Sequence, residues 1–132
     1  MTATMLNRGT LYARIMCELL RYDLLFALGG LNGVRPSPLA RTHVALGNTG
    51  LRVGSEIYDA LAAVAPLYWK PIRCLQRSIV IARLLRSRGV AAEVVIGYQP
   101  APFFSHAWVE VDARIIGDSE VYRSRLLQLE RF

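Results

Sequence analysis

Three side chains able to cut or transfer an acyl group stand in the C-terminal half of the chain: Cys74, His106 and Asp118. A cysteine attacks a carbonyl efficiently only with a base in hydrogen-bond reach, and that base needs an acceptor to orient it. Cys74 follows Pro71-Ile72-Arg73, where a proline-containing break feeds a predicted helix. Its sulfur then lies near unpaired backbone N–H groups and the positive end of the helix dipole, with Arg73 adding positive charge. These features favour the thiolate, the reactive form. On position alone, Cys74 is equally well read as a small buried apolar residue.

The stretch Phe104-Ser105-His106-Ala107-Trp108-Val109-Glu110-Val111 changes that balance. It reads as a strand opened by a histidine, with Trp108 two positions on and therefore on the same face. Asp112 is six residues from His106, roughly 20 Å along an extended strand, and reads as a turn residue. Asp118 is better placed if the chain turns near Asp112-Ala113 and returns antiparallel. A strict two-residue turn puts Ser119 opposite His106; a three-residue loop or a bulge brings Asp118 onto the histidine's face. Glu120 is the fallback carboxylate.

The elements that must position these groups follow from length and periodicity. The chain has 132 residues, 53% hydrophobic and 20% charged, which suits one packed domain. Lys plus Arg number 16 against 10 for Asp plus Glu, a formal charge of +6, and Lys70 is the only lysine. Two cysteines make no disulfide scaffold, so reduced thiols are expected. The longest nearly pure apolar run, Leu24 to Leu31, is eight residues and contains Gly29 and Gly30. A spanning helix needs roughly 20, so no membrane segment and a cytoplasmic location are expected.

Spacings of three and four among Leu11, Ile15, Leu19, Tyr22 and Phe26 predict a helix over 10–28, stopped by Gly29-Gly30. Tyr12, Tyr22, Phe26 and Leu28 are read as core, with partner docking as their other use. Residues 32–54 read as a long connector, with a helical turn around Leu39 to Leu46. Ser55 reads as the N-cap of a second helix carrying Ile57, Leu61, Val64 and Tyr68. A third helix is predicted from Arg73 to Arg88, ended by Gly89, with Arg83, Arg86 and Arg88 on a solvated face. Arg77 lies on the nucleophile's side of that helix, placed for a buried ion pair or for substrate. The period then changes to two, predicting strands over Ala92–Tyr98, Ala107–Val111 and Arg114–Gly117. Residues 121–132 fit either a helix or a strand. Helices followed by strands argue for an α+β fold with helices packed on a small antiparallel sheet. The expected division is a helical segment and connector over 1–54, within the same domain as a core over 55–132.

Cys74-Leu75-Gln76-Arg77-Ser78, a helix ending at Arg88-Gly89, Val94-Val95-Ile96-Gly97, His106-Ala107-Trp108-Val109-Glu110 and Gly117-Asp118 together resemble the transglutaminase-like (papain-like) cysteine hydrolases. Among these, the chain resembles the leader peptidases of lasso-peptide biosynthesis, over roughly residues 66–120. The resemblance implies Cys74 as nucleophile, His106 as base and then acid, and Asp118 as orienter. It also implies removal of the leader from a ribosomally made precursor, so that a partner cyclase can close the lasso ring. Longer members carry a fused winged-helix recognition domain. The first 54 residues show no run of strands to build one, so the split form is expected, with a separate recognition protein holding the leader.

Given those roles, the backbone N–H of Cys74 is the natural oxyanion donor, with Trp69 or Gln76 as candidate second donors and packing as the commoner role for Trp69. His43, His106 and two distant cysteines give no zinc spacing, so neither metal nor cofactor is expected, and His43 reads as a surface loop residue. Acyl transfer on the same triad, as in transglutaminases or arylamine acetyltransferases, differs only in what resolves the thioester. A non-catalytic peptide-binding module is the reading from another class. Nucleic acid is disfavoured, because the region Ala92–Ser119 holds one arginine and no lysine.

Overall fold

The computed structural model describes residues 7–34 and 48–132. His43 and the turn expected around Leu39 to Leu46 lie outside the described residues. Helix α1 spans Arg8–Val34, with non-helical backbone at Gly30 (φ 58°). Helix α2 spans Asn48–Val64 and tightens into a 3-10 turn at Ala65–Leu67. Helix α3 spans Cys74–Arg86. Strands β1 (Ala92–Pro100), β2 (Phe103–Val111) and β3 (Arg114–Ile115) follow, then the short helix α4 (Val121–Arg125) and strand β4 (Leu127–Arg131). The four strands form one antiparallel sheet in the order β3-β2-β1-β4. The fold is therefore α+β, and the tail that fitted two assignments contains both a helix and a strand.

Two helices differ from their expected limits. Gly30 kinks α1, but helical backbone resumes to Val34. Helix α2 starts at Asn48, so Ser55 lies inside it and is no cap. Gly50 and Gly54, which fall within the expected connector, instead let the helix approach the sheet. A Cβ at Gly54 would stand 2.9 Å from Ile116 Cδ1, and one at Gly50 would stand 3.3 Å from Val90 Cγ1.

Alternation divides the sheet residues between two apolar clusters. Val94 pairs with Val109, and both join the main core with Ile15, Leu19, Ile57, Leu61, Ile81, Leu84 and Leu85 from the three long helices. The next pair, Val95 and Trp108, faces the other way and packs with Ile115, Tyr122 and Leu126. Of the α1 aromatic and leucine set read as core, only Tyr22 packs against it. Leu28, Phe26 and Tyr12 are exposed: Tyr12 and Leu28 fall off the Leu11-Ile15-Leu19 row, whereas Phe26 continues it and stacks on Tyr22 at 5.7 Å.

The arginines of the third helix do not form a free solvated face. Arg83 donates to Glu18 at 2.7 Å, and Arg86 donates to the Ala92 carbonyl at 2.8 Å. Burial pushes the Arg88 guanidinium below its usual range, with Arg14 adding to the effect and Glu56 opposing it. Arg83 and Arg86 thus fasten α3 to α1 and to the start of β1.

Candidate active site

Cys74 is the first residue of α3, preceded by Arg73 in extended backbone (φ −87°, ψ 165°) without a side-chain cap. The first backbone bond into the helix runs from the Arg77 N–H to the Arg73 carbonyl at 2.9 Å. The N–H groups of Cys74, Leu75 and Gln76 thus have no intrahelical acceptor. Cys74 shares a helical row with Ser78, Ile81 and Leu85, all three buried. Gln76 and Arg83, on the opposite side of the helix, contact α1.

The lengths of α3 and β1 allow His106 to return to the Cys74 end of α3. The helix rises about 18 Å from Cys74 to Arg86. After the link at 87–91 the chain runs back along α3, and Ala92 to Gly97 covers about 16 Å of strand. Gly97 pairs with His106 across β1 and β2. The His106 side chain projects from the face that carries Trp108, whereas α3 packs through Val109 and Val111 on the other. Among the described residues no hydrogen bond joins the Cys74 sulfur to the imidazole.

His106 and Asp118 do meet. His106 Nε2 lies 2.6 Å from Asp118 Oδ2, with both side chains largely buried. A bond at Nε2 leaves Nδ1 as the nitrogen open to a reaction. The route by which Asp118 arrives differs from the expected bulge. Asp112 (φ 51°) and Ala113 (φ 61°) form a strict two-residue turn, and Glu110 pairs with Ile115. One further backbone bond follows, from the Ile116 N–H to the Val109 carbonyl at 2.8 Å, and Gly117 at φ 69° then turns the chain so that Asp118, rather than Ser119, reaches the histidine. Asp118 Oδ1 also accepts the Ser119 N–H at 2.9 Å. Glu120, the fallback, accepts the Ile115 N–H at 2.8 Å and lies 3.5 Å from Arg123.

Aromatic rings surround the imidazole. Tyr122 lies over it at 4.3 Å between centroids, and Phe104 and Trp108 flank it at 6.3 and 6.2 Å. Trp108 is held in turn, because its indole N–H donates to Glu110 Oε2 at 2.8 Å. Glu110 is buried and receives Arg131 at 3.1 Å and Arg123 at 3.4 Å. Burial works against the Arg131 charge, but Glu110 and then Glu93 outweigh it and raise its pKa further. Sequence reasoning missed Glu110 and Tyr122 as parts of this site. Glu110 was detectable in principle, since it shares strand parity with His106 and Trp108, and a buried carboxylate must be paired. Tyr122 gave no signal.

A second polar group holds the Cys74 side of the site. Asp23 of α1 accepts from the Tyr68 hydroxyl, from Lys70 at 2.7 Å and from Gln76 at 3.4 Å. Burial pushes the Asp23 carboxyl up, but bonds from Lys70, Tyr68 and Gln76 outweigh it and hold its pKa below the usual carboxylate value. Burial, then the Asp23 charge and Cys74, push the Tyr22 hydroxyl above its usual range. Gln76 is unsuited as an oxyanion donor: its amide is spent on the Leu19 carbonyl at 3.2 Å and on Asp23. Trp69 is 71% exposed, so it is not a packing residue of the core either; Lys70 lies 5.6 Å from its ring. Among the described residues Arg77 forms no buried ion pair, and it stacks 5.9 Å from the Tyr58 ring, against which Gly117 packs.

Among the described residues no helix is long and apolar enough to cross a membrane. No solved structure gives a significant match to the chain. The chain is similar to the Microcin J25-processing protein McjB of Escherichia coli, 43% identical over 53 residues. That match spans 40% of this chain and 26% of the relative. Residues 18–131 match the Transglutaminase-like superfamily, covering α1 from Glu18, the Cys74 helix, the His106 strand and the Asp118 turn. With the match extending over most of its length, the chain belongs to the Transglutaminase-like superfamily.

Proposed function

We propose that this protein is a cysteine peptidase that removes the leader from a ribosomally made lasso-peptide precursor. The observation that supports this reading is the 2.6 Å contact between His106 and Asp118, in a chain whose Cys74 opens helix α3. Similarity to a microcin-processing protein supports the substrate class.

In the proposed reaction the Cys74 thiolate adds to the scissile carbonyl carbon. The resulting oxyanion takes hydrogen bonds from the first N–H groups of α3, the Cys74 N–H foremost. His106, holding the proton on Nδ1, delivers it to the leaving amine as the carbon–nitrogen bond breaks, leaving an acyl thioester on Cys74. Water then attacks the thioester while Nδ1 takes its proton, and the carboxyl product departs as the sulfur is released. Asp118 keeps Nε2 protonated and fixes the plane of the ring throughout. The reading requires the sulfur and Nδ1 to come within hydrogen-bond reach in the working enzyme.

The proposed setting is the cytoplasm, with a separate recognition protein presenting the leader and a cyclase consuming the product. Incubation of the chain with a precursor, with and without a recognition protein, tests the assignment by the masses of the fragments. Cys74→Ala and His106→Ala should each abolish the two fragments without lowering the melting temperature by more than a few degrees. Cleavage retained by Cys74→Ala removes the peptidase assignment.

A further inference from the structure

We propose that Asp23 is a positioning residue for Cys74, clamping the chain on both sides of the sulfur from a helix far away in sequence. This deepens the reading of Cys74 as the nucleophile and rests on it. Tyr68 and Lys70 lie six and four residues before Cys74, and Gln76 lies two after it; all three donate to the one Asp23 carboxylate.

The local backbone needs such a clamp. Between the 3-10 turn ending at Leu67 and the start of α3, the chain has neither helix nor strand to hold it, and Pro71 removes one of its donors. The helix start has no side-chain cap at Arg73. Its first turn is anchored through Gln76, which is 2% exposed and whose amide bridges Asp23 and the Leu19 carbonyl. Tyr68, also buried, belongs to the main core through its ring while its hydroxyl meets Asp23. A shift of Asp23 would therefore move the approach segment and the first helical turn together, carrying the Cys74 sulfur and N–H with them.

Alkylation by iodoacetamide reads this without reference to any peptidase activity, and the exposed Cys17 on α1 is an internal control. Asp23→Ala should slow labelling of Cys74 about tenfold and lower kcat for precursor more than it alters KM, because misplacement acts on the reacting atoms. Labelling of Cys17 should not change. Asp23→Asn, which keeps one oxygen as an acceptor but loses the charge and turns the other oxygen into a donor, should fall between wild type and Asp23→Ala. Lys70→Met, which removes one donor and leaves both carboxylate oxygens, should slow Cys74 labelling less than Asp23→Ala, and adding it to Asp23→Ala should change nothing further.

Unchanged Cys74 labelling in Asp23→Ala overturns the proposal. So does a parallel rise in labelling at both cysteines with loss of the unfolding transition, unless Lys70→Met, at a half-exposed position, still slows Cys74 alone. If the wild-type chain fails to cut any precursor while Cys74 labelling still depends on Asp23, the clamp stands and the peptidase reading falls.

Discussion

Gly117→Ala tests whether the turn after the third strand is what delivers Asp118 to His106. At φ 69° an L side chain meets its own backbone, costing roughly 1–2 kcal/mol. The new Cβ would also stand 2.7 Å from Tyr58 Cε2 and closer still to Cδ2 and Cγ. Ordinary carbon contacts are about 3.5–4.0 Å, so ring or backbone must give by about 1 Å. The ring has little freedom, because Arg77 stacks on it, and such overpacking costs roughly 1–3 kcal/mol. Together these predict a loss of about 3 kcal/mol, or about 10 °C in melting temperature for a chain of this size. If the backbone yields instead of the ring, the next residue moves, and a 1 Å displacement of Asp118 would lower precursor cleavage roughly hundredfold. Thermal and urea unfolding of Gly117→Ala, Tyr58→Ala and the double variant give the coupling directly. The double variant should be more stable than additivity predicts by at least about 1 kcal/mol, because removing the ring removes the overlap. A Gly117→Ala protein melting within two degrees of wild type, or costs that simply add, would refute the packing argument.

Asp118→Asn keeps the shape at His106 but loses the charge, and should lower kcat at least about hundredfold, while Asp112→Asn in the exposed turn should not change it; the reverse result, read by precursor turnover, would move the orienting role to Asp112. Ala113→Gly relieves a left-handed alanine (φ 61°) and should raise stability by about 1 kcal/mol in urea unfolding. Arg131→Met strips a charged donor from buried Glu110 and should cost about 2 kcal/mol, with a matching fall in melting temperature. Because Asp23 has its pKa held down in the folded chain, it stabilises at neutral pH and loses that contribution as pH falls below the ordinary aspartate value of about 3.9. Asp23→Asn should therefore lose less unfolding free energy than wild type between pH 5 and pH 3, and equal losses in the two proteins would contradict the sign.

The sequence alone determined what depends on local periodicity. Leu11, Ile15 and Leu19 recur on one helical face, Ile57, Leu61, Val64 and Tyr68 on another, and both rows are buried. The proline break before Cys74 and the change of period after Gly89 likewise place a helix start and two paired strands. Tertiary structure decided what depends on approach between distant segments. Gly50 and Gly54 fall in the expected connector because a sequence shows only what glycine permits, whereas the folded chain uses them inside a helix to admit Ile116 and Val90. The Asp118 route was hidden for a similar reason: the register set by a two-residue turn points to Ser119, and Gly117, packed against Tyr58 of another helix, redirects it. Asp23, Glu110 and Tyr122 acquire their roles only from partners in remote segments, since a carboxylate's neighbours and a ring's stacking are properties of three-dimensional packing rather than of spacing along the chain.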